Sequence, residues 1–283
     1  MSSGFRPSVR RVRTWVVVSI HPVTDLRSLL ALEKVKPDAF LGGGPVLGWG
    51  RLYGGQVVAQ ALRAACLTVD PPHVPQSLHA YFVRAGDEHQ PVLYEVERVR
   101  DSRSFATRQV VAYQAGGAIL NMIASFHAPE HGIEIDAVVA PHDVPAPGDL
   151  PDEDTTLLFE RRSFARRADP EPYELAWMRA RGDLGDDPGL HACAFAYLSD
   201  EFPLGAALGA HPVVPIWEHV FTASLDHAIW FHREVRADEW LLFELRGGGV
   251  ADSRGLGTAR VFDPSGRHVA SIAQEALARD RRA

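Results

Sequence analysis

"DHAIWFHREV", residues 226–235, repeats with small changes a stretch read earlier in the chain, "LHAYFVRAGD", residues 78–87. Each has a His-Ala pair, two aromatics close behind, then an Arg and an acid. The parallel continues downstream. After "HAYFVR" come "VLYEVERVR" from Val92, "DSRSFATRQVVAY", a turn "QAGG" and "AILNMIASFHA". After "HAIWFHR" come "EWLLFELRG", "ADSRGLGTARVF", a turn "DPSG" and "RHVASIAQEALA". Asp-Ser-Arg stands at 101–103 and again at 252–254. Both runs read as three strands, a glycine turn and a fourth strand, with the period-two alternation of antiparallel pairs.

One helix is expected ahead of each run: "GGQVVAQALRAACLTV" at 54–69 and "GLHACAFAYLSDEFPLGAAL" at 189–208. The second is apolar around nearly its whole circumference, so other elements must surround it. Between Ala128 and Thr156 five prolines and many acids mark a surface linker. The fold class is therefore α+β: two fused copies of one unit, each a buried helix and a curled antiparallel sheet. The expected divisions are an N-terminal extension with little packing (1–21), a first unit (22–130), the Pro-rich linker (131–156) and a second unit (157–283).

Composition narrows the function. A formal charge of −7 argues against bulk attraction to nucleic acid or anionic membranes, and no apolar run is long enough to span a bilayer. Arg10, Arg11 and Arg13 precede a short apolar run, Trp15–Ile20, without the longer apolar region of a signal peptide, and "LARDRRA" carries no sorting signal. Cys66 and Cys193 lie in small apolar stretches and no Cys/His ligand spacing occurs, so the chain is expected in a reducing cytoplasm with neither metal nor cofactor. No GxSxG elbow is present, and "GWGRLYGG" at 48–55 lacks the Lys-Ser/Thr of a phosphate loop. "RGGGV" and "SRGLG" read as turns or bulges. "RVRDSRSFATR" and "RRSFARR" read either as phosphate contacts or as solvated strand faces.

Three residues carry the candidate chemistry. Asp200 follows "HACAFAYLS", where its neighbours argue for burial and a raised pKa; the competing reading is a helix end reaching solvent, since Glu201 and Pro203 follow. Gln274 shares a face with Ala270, Ile272 and Ala276, which holds an amide on the core side of the last strand or leaves it satisfied by backbone. Ser224 shares a face with Thr222 and Asp226, opposite Phe221, Ala223, Leu225 and His227. The adjacent Asp226 and His227 are expected on opposite faces. Because His79 recurs in the first copy, His227 is read as a structural part of the repeat.

"LYGGQVVAQAL", "LHAYFVRAGD", "RDSRSFATR", "ASFHAPE", "LDHAIWFHR", "EWLLFE" and "VASIAQEALAR", in that order, resemble the TesB-like acyl-CoA thioesterases (acyl-CoA thioesterase II) over roughly residues 25–280. The resemblance implies a double-hotdog fold and a catalytic Asp, Thr or Ser, and Gln, which fall on Asp200, Ser224 and Gln274. It also implies association of double-hotdog units into a homo-oligomer. The expected activity is hydrolysis of acyl-CoA by a water that these three residues orient. Asp200 would be the base, and amides at a helix N-terminus would polarise the carbonyl. The alternatives are an acyl-CoA-binding protein without catalysis and a hotdog enoyl-CoA hydratase. The hydratases have a His five residues after the Asp, where this chain has Gly205, and the next His is His211.

Overall fold

The computed structural model describes residues 23–151, 153, 158–167, 173–201, 203–208 and 219–281. The expected extension at 1–21 lies outside them. The first part of the chain gives a short helix α1 (Leu26–Leu29), strands β1 (Glu33–Lys36) and β2 (Ala39–Gly42), helix α2 (Gly54–Cys66), and strands β3 (Val74–Phe82), β4 (Val92–Asp101), β5 (Phe105–Gln114) and β6 (Gly117–His127). The second part gives β7 (Phe159–Arg167), β8 (Tyr173–Ala180), helices α3 (Pro188–Ser199) and α4 (Pro203–Leu208), then β9 (Val220–Ser224), β10 (Asp226–Phe231), β11 (Leu241–Ala251), β12 (Arg254–Phe262) and β13 (His268–Asp280). The four-strand runs are where the alternation places them. Each unit gains two strands ahead of its helix that the sequence reading does not contain.

All described strands join one sheet in the order β1-β2-β4-β5-β6-β3-β10-β13-β12-β11-β8-β7, with β9 also pairing β13. Every pairing is antiparallel, and β3 against β10 is the seam between the two parts. The sheet curls around α2 and α3. Every residue of α3 from Gly189 to Ser199 is buried, as its uniform apolarity requires. The two helices nearly touch: a Cβ on Gly55 would lie 2.6 Å from the Tyr197 carbonyl oxygen. One continuous core holds Leu62 of α2, Phe195 of α3, Leu78 and Val110 from the first part of the sheet, and Ile229 and Val261 from the second. No described helix is long and apolar enough to cross a membrane.

Two expectations need correction. The helix expected over 189–208 is two helices. α3 ends at Ser199 with Asp200 as its C-cap, and α4 opens at Pro203, whose missing N–H and ring cannot continue a helix. The first helix stops at Cys66, three residues early. The segment 131–151 has no buried residue and lies on the sheet: Val138, Ala140 and Val144 cover Leu242 and Phe262 on the outer sheet face, and Trp177 donates to the Pro145 carbonyl at 3.0 Å. Within the basic stretches Arg98, Arg100 and Arg103 are exposed, and two arginines are committed internally. Arg108 is fully buried and donates to Thr68, Arg100, Thr107 and Asp101, and Arg161 pairs with Glu174. "RGGGV" is a bulge, as expected, with the β11–β12 register slipping between Gly247 and Val250.

The repeated His-Ala pairs meet at the seam, one residue out of step. His79 lies opposite Ala228, and Ala80 opposite His227. Successive strand residues face opposite sides, so this offset reverses the two histidines. His79 is exposed on the outer face with its ring 5.1 Å from that of Trp230, whereas His227 is buried against the helices. A two-fold through the His79/Ala228 pair matches Phe82 with Phe231 and Arg84 with Arg233, and it places Leu78 where the second part has His227. His79 is thus not the counterpart of His227.

Candidate active site

Asp200 reaches the site as the last cap of α3, just beyond the buried run Gly189–Ser199. Helix α2 begins beside it without a side-chain cap of its own. Asp200 supplies one from across the helix pair, its Oδ2 accepting the Gly55 N–H at 2.7 Å. Gly54 leaves room for this: a Cβ there would lie 2.8 Å from the same oxygen.

Oδ1 faces the strands. It accepts from Gln274 Nε2 at 2.8 Å, and the Ser224 hydroxyl stands 3.5 Å away. The Gln274 amide also donates to Ser224 Oγ at 2.7 Å. The structure therefore brings together all three residues singled out in the sequence. Gln274 is on the core side of β13, as expected, in the buried series Ala270, Ile272, Gln274, Ala276.

Ser224 arrives by a route the alternation does not predict. Ser224 of β9 pairs with Ala276, while Ala228 of β10 pairs with Ala273, so four residues on one strand span three on the other. This is a β-bulge, and it reverses the side-chain phase. Ser224 and His227, expected on opposite faces, both turn toward Gln274. Asp226 is turned away from the ring and accepts the Glu275 N–H at 2.7 Å, satisfying the ladder at the bulge. The expected separation of Asp226 from His227 holds, and its acid/base pairing with that ring does not form.

His227 is the residue the sequence reading set aside. Its Nδ1 is 2.7 Å from Gln274 Oε1 and its Nε2 is 2.7 Å from Ser199 Oγ. The ring is fully buried, and burial pushes its pKa down to about 4, partly offset by the bond to Gln274. It is neutral at pH 7. An amide oxygen only accepts, so Nδ1 carries the proton and Nε2 accepts from the Ser199 hydroxyl.

Burial raises the Asp200 carboxyl to about 6; the bonds from Gln274, Gly55 and Ser224, and the nearby Arg51 guanidinium, hold it below where burial alone would put it. Its position at the negative end of α3 acts in the same direction as burial. The neighbouring Glu201 is raised to about 7, mainly by burial and also by the Asp200 charge. Tyr53 donates to the Tyr197 carbonyl at 3.0 Å and lies 3.5 Å from Glu201 Oε2, closing the site behind α2. Asp200 as a whole residue keeps partial exposure. The Gly55 amide is committed to the carboxylate, so the carbonyl-polarising role expected of amides at a helix N-terminus does not fall to Gly55.

A cavity of about 870 Å³ lies at the opposite end of the helix pair, under residues 129–138, and its lining includes Pro188, Ala192 and Phe231 but none of the Asp200 cluster. Among the described residues no group of three or more His, Cys, Asp or Glu side chains is placed to hold a metal ion.

The chain is similar to known proteins along nearly its whole length. The acyl-CoA thioesterase N-terminal domain family matches residues 45–127, and the acyl-CoA thioesterase C-terminal domain family matches residues 136–278. Human acyl-coenzyme A thioesterase 8 is 37% identical over 296 residues, covering 91% of each chain. The crystal structure of acyl-CoA thioesterase II TesB2 from Mycobacterium marinum superposes with a TM-score of 0.80 at 39% identity, over 90% of this chain and 98% of that one. A hotdog-fold protein from Alicyclobacillus acidocaldarius, at 21% identity, shares the architecture with a TM-score of 0.75 over 90% of this chain and 97% of that one. The two wrapped-helix units are thus a double hotdog, and the chain belongs to the acyl-CoA thioesterase family.

Proposed function

We propose that this chain hydrolyses acyl-CoA to a free fatty acid and CoA, with Asp200, Ser224 and Gln274 as the catalytic residues. The observation that supports this assignment is the convergence of Gln274 Nε2 on both Asp200 Oδ1, at 2.8 Å, and Ser224 Oγ, at 2.7 Å. Family membership supplies the reaction class. A water between Oδ1 and Oγ is oriented by both oxygens. Asp200 takes its proton as the water oxygen attacks the thioester carbonyl carbon. The tetrahedral adduct then expels the sulfur, and the proton on Asp200 passes to the departing thiolate. No acyl-enzyme forms. A carboxylate with a pKa near 6 is still largely ionised at pH 7, yet it is a stronger base than an ordinary one.

Two cysteines in small apolar stretches, without the spacing of a disulfide framework, support a reducing compartment such as the cytoplasm. Exposed Tyr81 and Ile123, diagonal neighbours on β3 and β6 on the outer sheet face near the seam, support association into oligomers. The test of the function is release of free CoA thiol from short-, medium- and long-chain acyl-CoAs. Turnover is expected in the wild type, with a loss of at least about a hundredfold in Asp200→Asn. Tight acyl-CoA binding by the wild type with no thiol released would replace hydrolysis with a binding function.

A further inference from the structure

The buried side of the site holds a chain of hydrogen bonds that direct hydrolysis does not itself use. Ser199 Oγ meets His227 Nε2, His227 Nδ1 meets Gln274 Oε1, and Gln274 Nε2 meets Asp200 Oδ1 and Ser224 Oγ. Only the last of these groups face the reactants; Ser199, His227 and Gln274 are each at most 2% exposed. A glutamine amide has two orientations of nearly equal shape and opposite hydrogen-bonding sense. In one, its NH2 faces the carboxylate and the serine. In the other, its carbonyl oxygen faces a carboxylate oxygen at hydrogen-bond distance, which is repulsive and leaves Ser224 without its donor. Nothing in Gln274 itself selects between them.

We infer that His227 is a positioning residue: its Nδ1–H engages the Gln274 carbonyl and thereby locks the amide with its NH2 toward Asp200 and Ser224. This rests on the catalytic reading of those three residues. The chain has one self-consistent sense: the ionised Asp200 carboxylate only accepts, so the Gln274 NH2 faces it and the Gln274 oxygen faces Nδ1–H of His227. Ser199 is the last residue of α3, and its hydroxyl can donate either to His227 Nε2 or to the Ala196 carbonyl at 2.9 Å. A hydroxyl donor at Nε2 places the single ring proton of neutral His227 on Nδ1. Hydroxyl, ring and amide thus hold one another in the sense that presents the Gln274 NH2 to Asp200 and Ser224.

The molecule contains its own control. The seam two-fold places Leu78 at the position of His227, and Leu78 pairs with Ala124 as His227 adjoins Gln274. At the matching end of α2, Cys66 and the C-cap Leu67 stand where α3 has Ser199 and Asp200. Ser199, Asp200, His227 and Gln274 thus have Cys66, Leu67, Leu78 and Ala124 as their apolar or weakly polar counterparts in the first unit. The hotdog unit therefore folds with leucine at the histidine position, and nothing in its packing demands an imidazole there. The ring is present only where there is an amide to orient.

Loss of the lock changes how Asp200 titrates. Around that carboxylate stand Arg51 and Tyr53 from the segment entering α2, Tyr197 from α3 and Glu201 just beyond it, and Ser224 and Gln274 from the strands; the Gln274 bond is the first of the interactions that hold its pKa down. Turning the amide replaces a donor with an acceptor, so the acid limb of kcat/KM moves to higher pH.

The experiment compares His227→Leu, His227→Gln and Gln274→Ala in steady-state thiol release from pH 5 to 9. Nitrogen-15 NMR of the histidine rings in the wild type accompanies it. His227→Leu is expected to lower kcat by about ten- to a hundredfold, leave KM within about threefold, and raise the acid limb. His227→Gln, which restores an N–H toward Gln274, recovers most of the loss. The wild-type ring is expected to be protonated at Nδ1 and bare at Nε2 at pH 7. Wild-type kcat and acid limb in His227→Leu, beside an impaired Gln274→Ala, overturn the positioning role and leave the catalytic reading standing. Full activity in Gln274→Ala overturns both. If His227→Leu does not fold, the tautomer decides: a proton on Nε2 alone refutes the lock.

Discussion

Gly54→Ala separates the chemistry of the site from the stability of the fold. The added Cβ would lie 2.8 Å from Asp200 Oδ2 and 3.1 Å from the edge of the Phe82 ring, against an ordinary contact that begins near 3.4 Å. The carboxylate oxygen must retreat by roughly 0.6 Å to reach van der Waals distance. It cannot do so freely, because Gly55 N holds that oxygen while Gln274 Nε2 and Ser224 Oγ hold the other oxygen of the same carboxylate. The bond that yields first is the one on the displaced oxygen, from Gly55. A hydrogen bond to a charged group contributes about 1.5–3 kcal/mol. Weakening it raises the Asp200 carboxyl above its native value of about 6 and moves the acid limb of kcat/KM upward by roughly one pH unit. Misplacement of a base by a sizeable fraction of an ångström costs about ten- to a hundredfold in kcat. Gly54 sits in the first turn of α2 at an ordinary negative φ, so alanine there favours the helix by up to about 1 kcal/mol and offsets part of the lost cap. The expected phenotype is thus a folded protein, with a melting temperature within a few degrees of wild type, that turns over poorly. Thiol release across pH and a thermal melt measure both sides. Undiminished kcat with an unmoved acid limb near 6 would refute the placement of Asp200 as the base.

Glu201→Gln should stabilise the protein at pH 8. The Glu201 carboxyl is raised to about 7 in the folded chain, against 4.5 when free, so its ionised form is disfavoured by folding. Its contribution to stability is therefore greatest below 4.5 and declines as pH rises through 7. Allowing for partial exposure, the variant gains about 1–2 kcal/mol at pH 8 by urea titration, a gain that shrinks as the pH is lowered toward 4.5; an equal gain at pH 5 and 8 would contradict it. Arg108→Lys acts in the opposite sense. Its planar fork serves Thr68, Arg100, Thr107 and Asp101 from a fully buried position, and an ammonium cannot reach them all. The urea midpoint should fall by the equivalent of about 2–4 kcal/mol, with kcat of the remaining folded enzyme unchanged.

The large elements were legible in the sequence because they rest on local periodicity. The uniform apolarity of "HACAFAYLS" announces a surrounded helix, and the alternation in "FATRQVVAY" and "VASIAQEALA" sets which side chains point inward. Asp200 and Gln274 stood out because a carboxylate and an amide interrupt such patterns. Ser224 was found with its phase misjudged. Alternation runs unbroken through "TASLDHA" in sequence, and the bulge that reverses it exists only in the register with Glu275 and Ala276, about fifty residues away. His227 was lost to the same cause. The echo of His79 suggested equivalence, while the seam pairs the two strands one residue out of step. The break after Ser199 was signalled by Pro203, and it was outweighed by the apolar alanines that follow.

The seam also sets what the two units can do apart. In the whole protein β3 and β10 cover each other. Severed within 131–156, the N-terminal piece would bare β3 as an edge with its backbone donors and acceptors unmet, a template for self-pairing. The C-terminal piece would bare β10, with Ser224 and Gln274 still beside Asp200 but without the Gly55 amide that steadies it. Neither fragment carries a finished active centre. Mixed together, each offers the strand the other lacks, so activity should return only as a two-fragment complex whose reassembly rebuilds the catalyst.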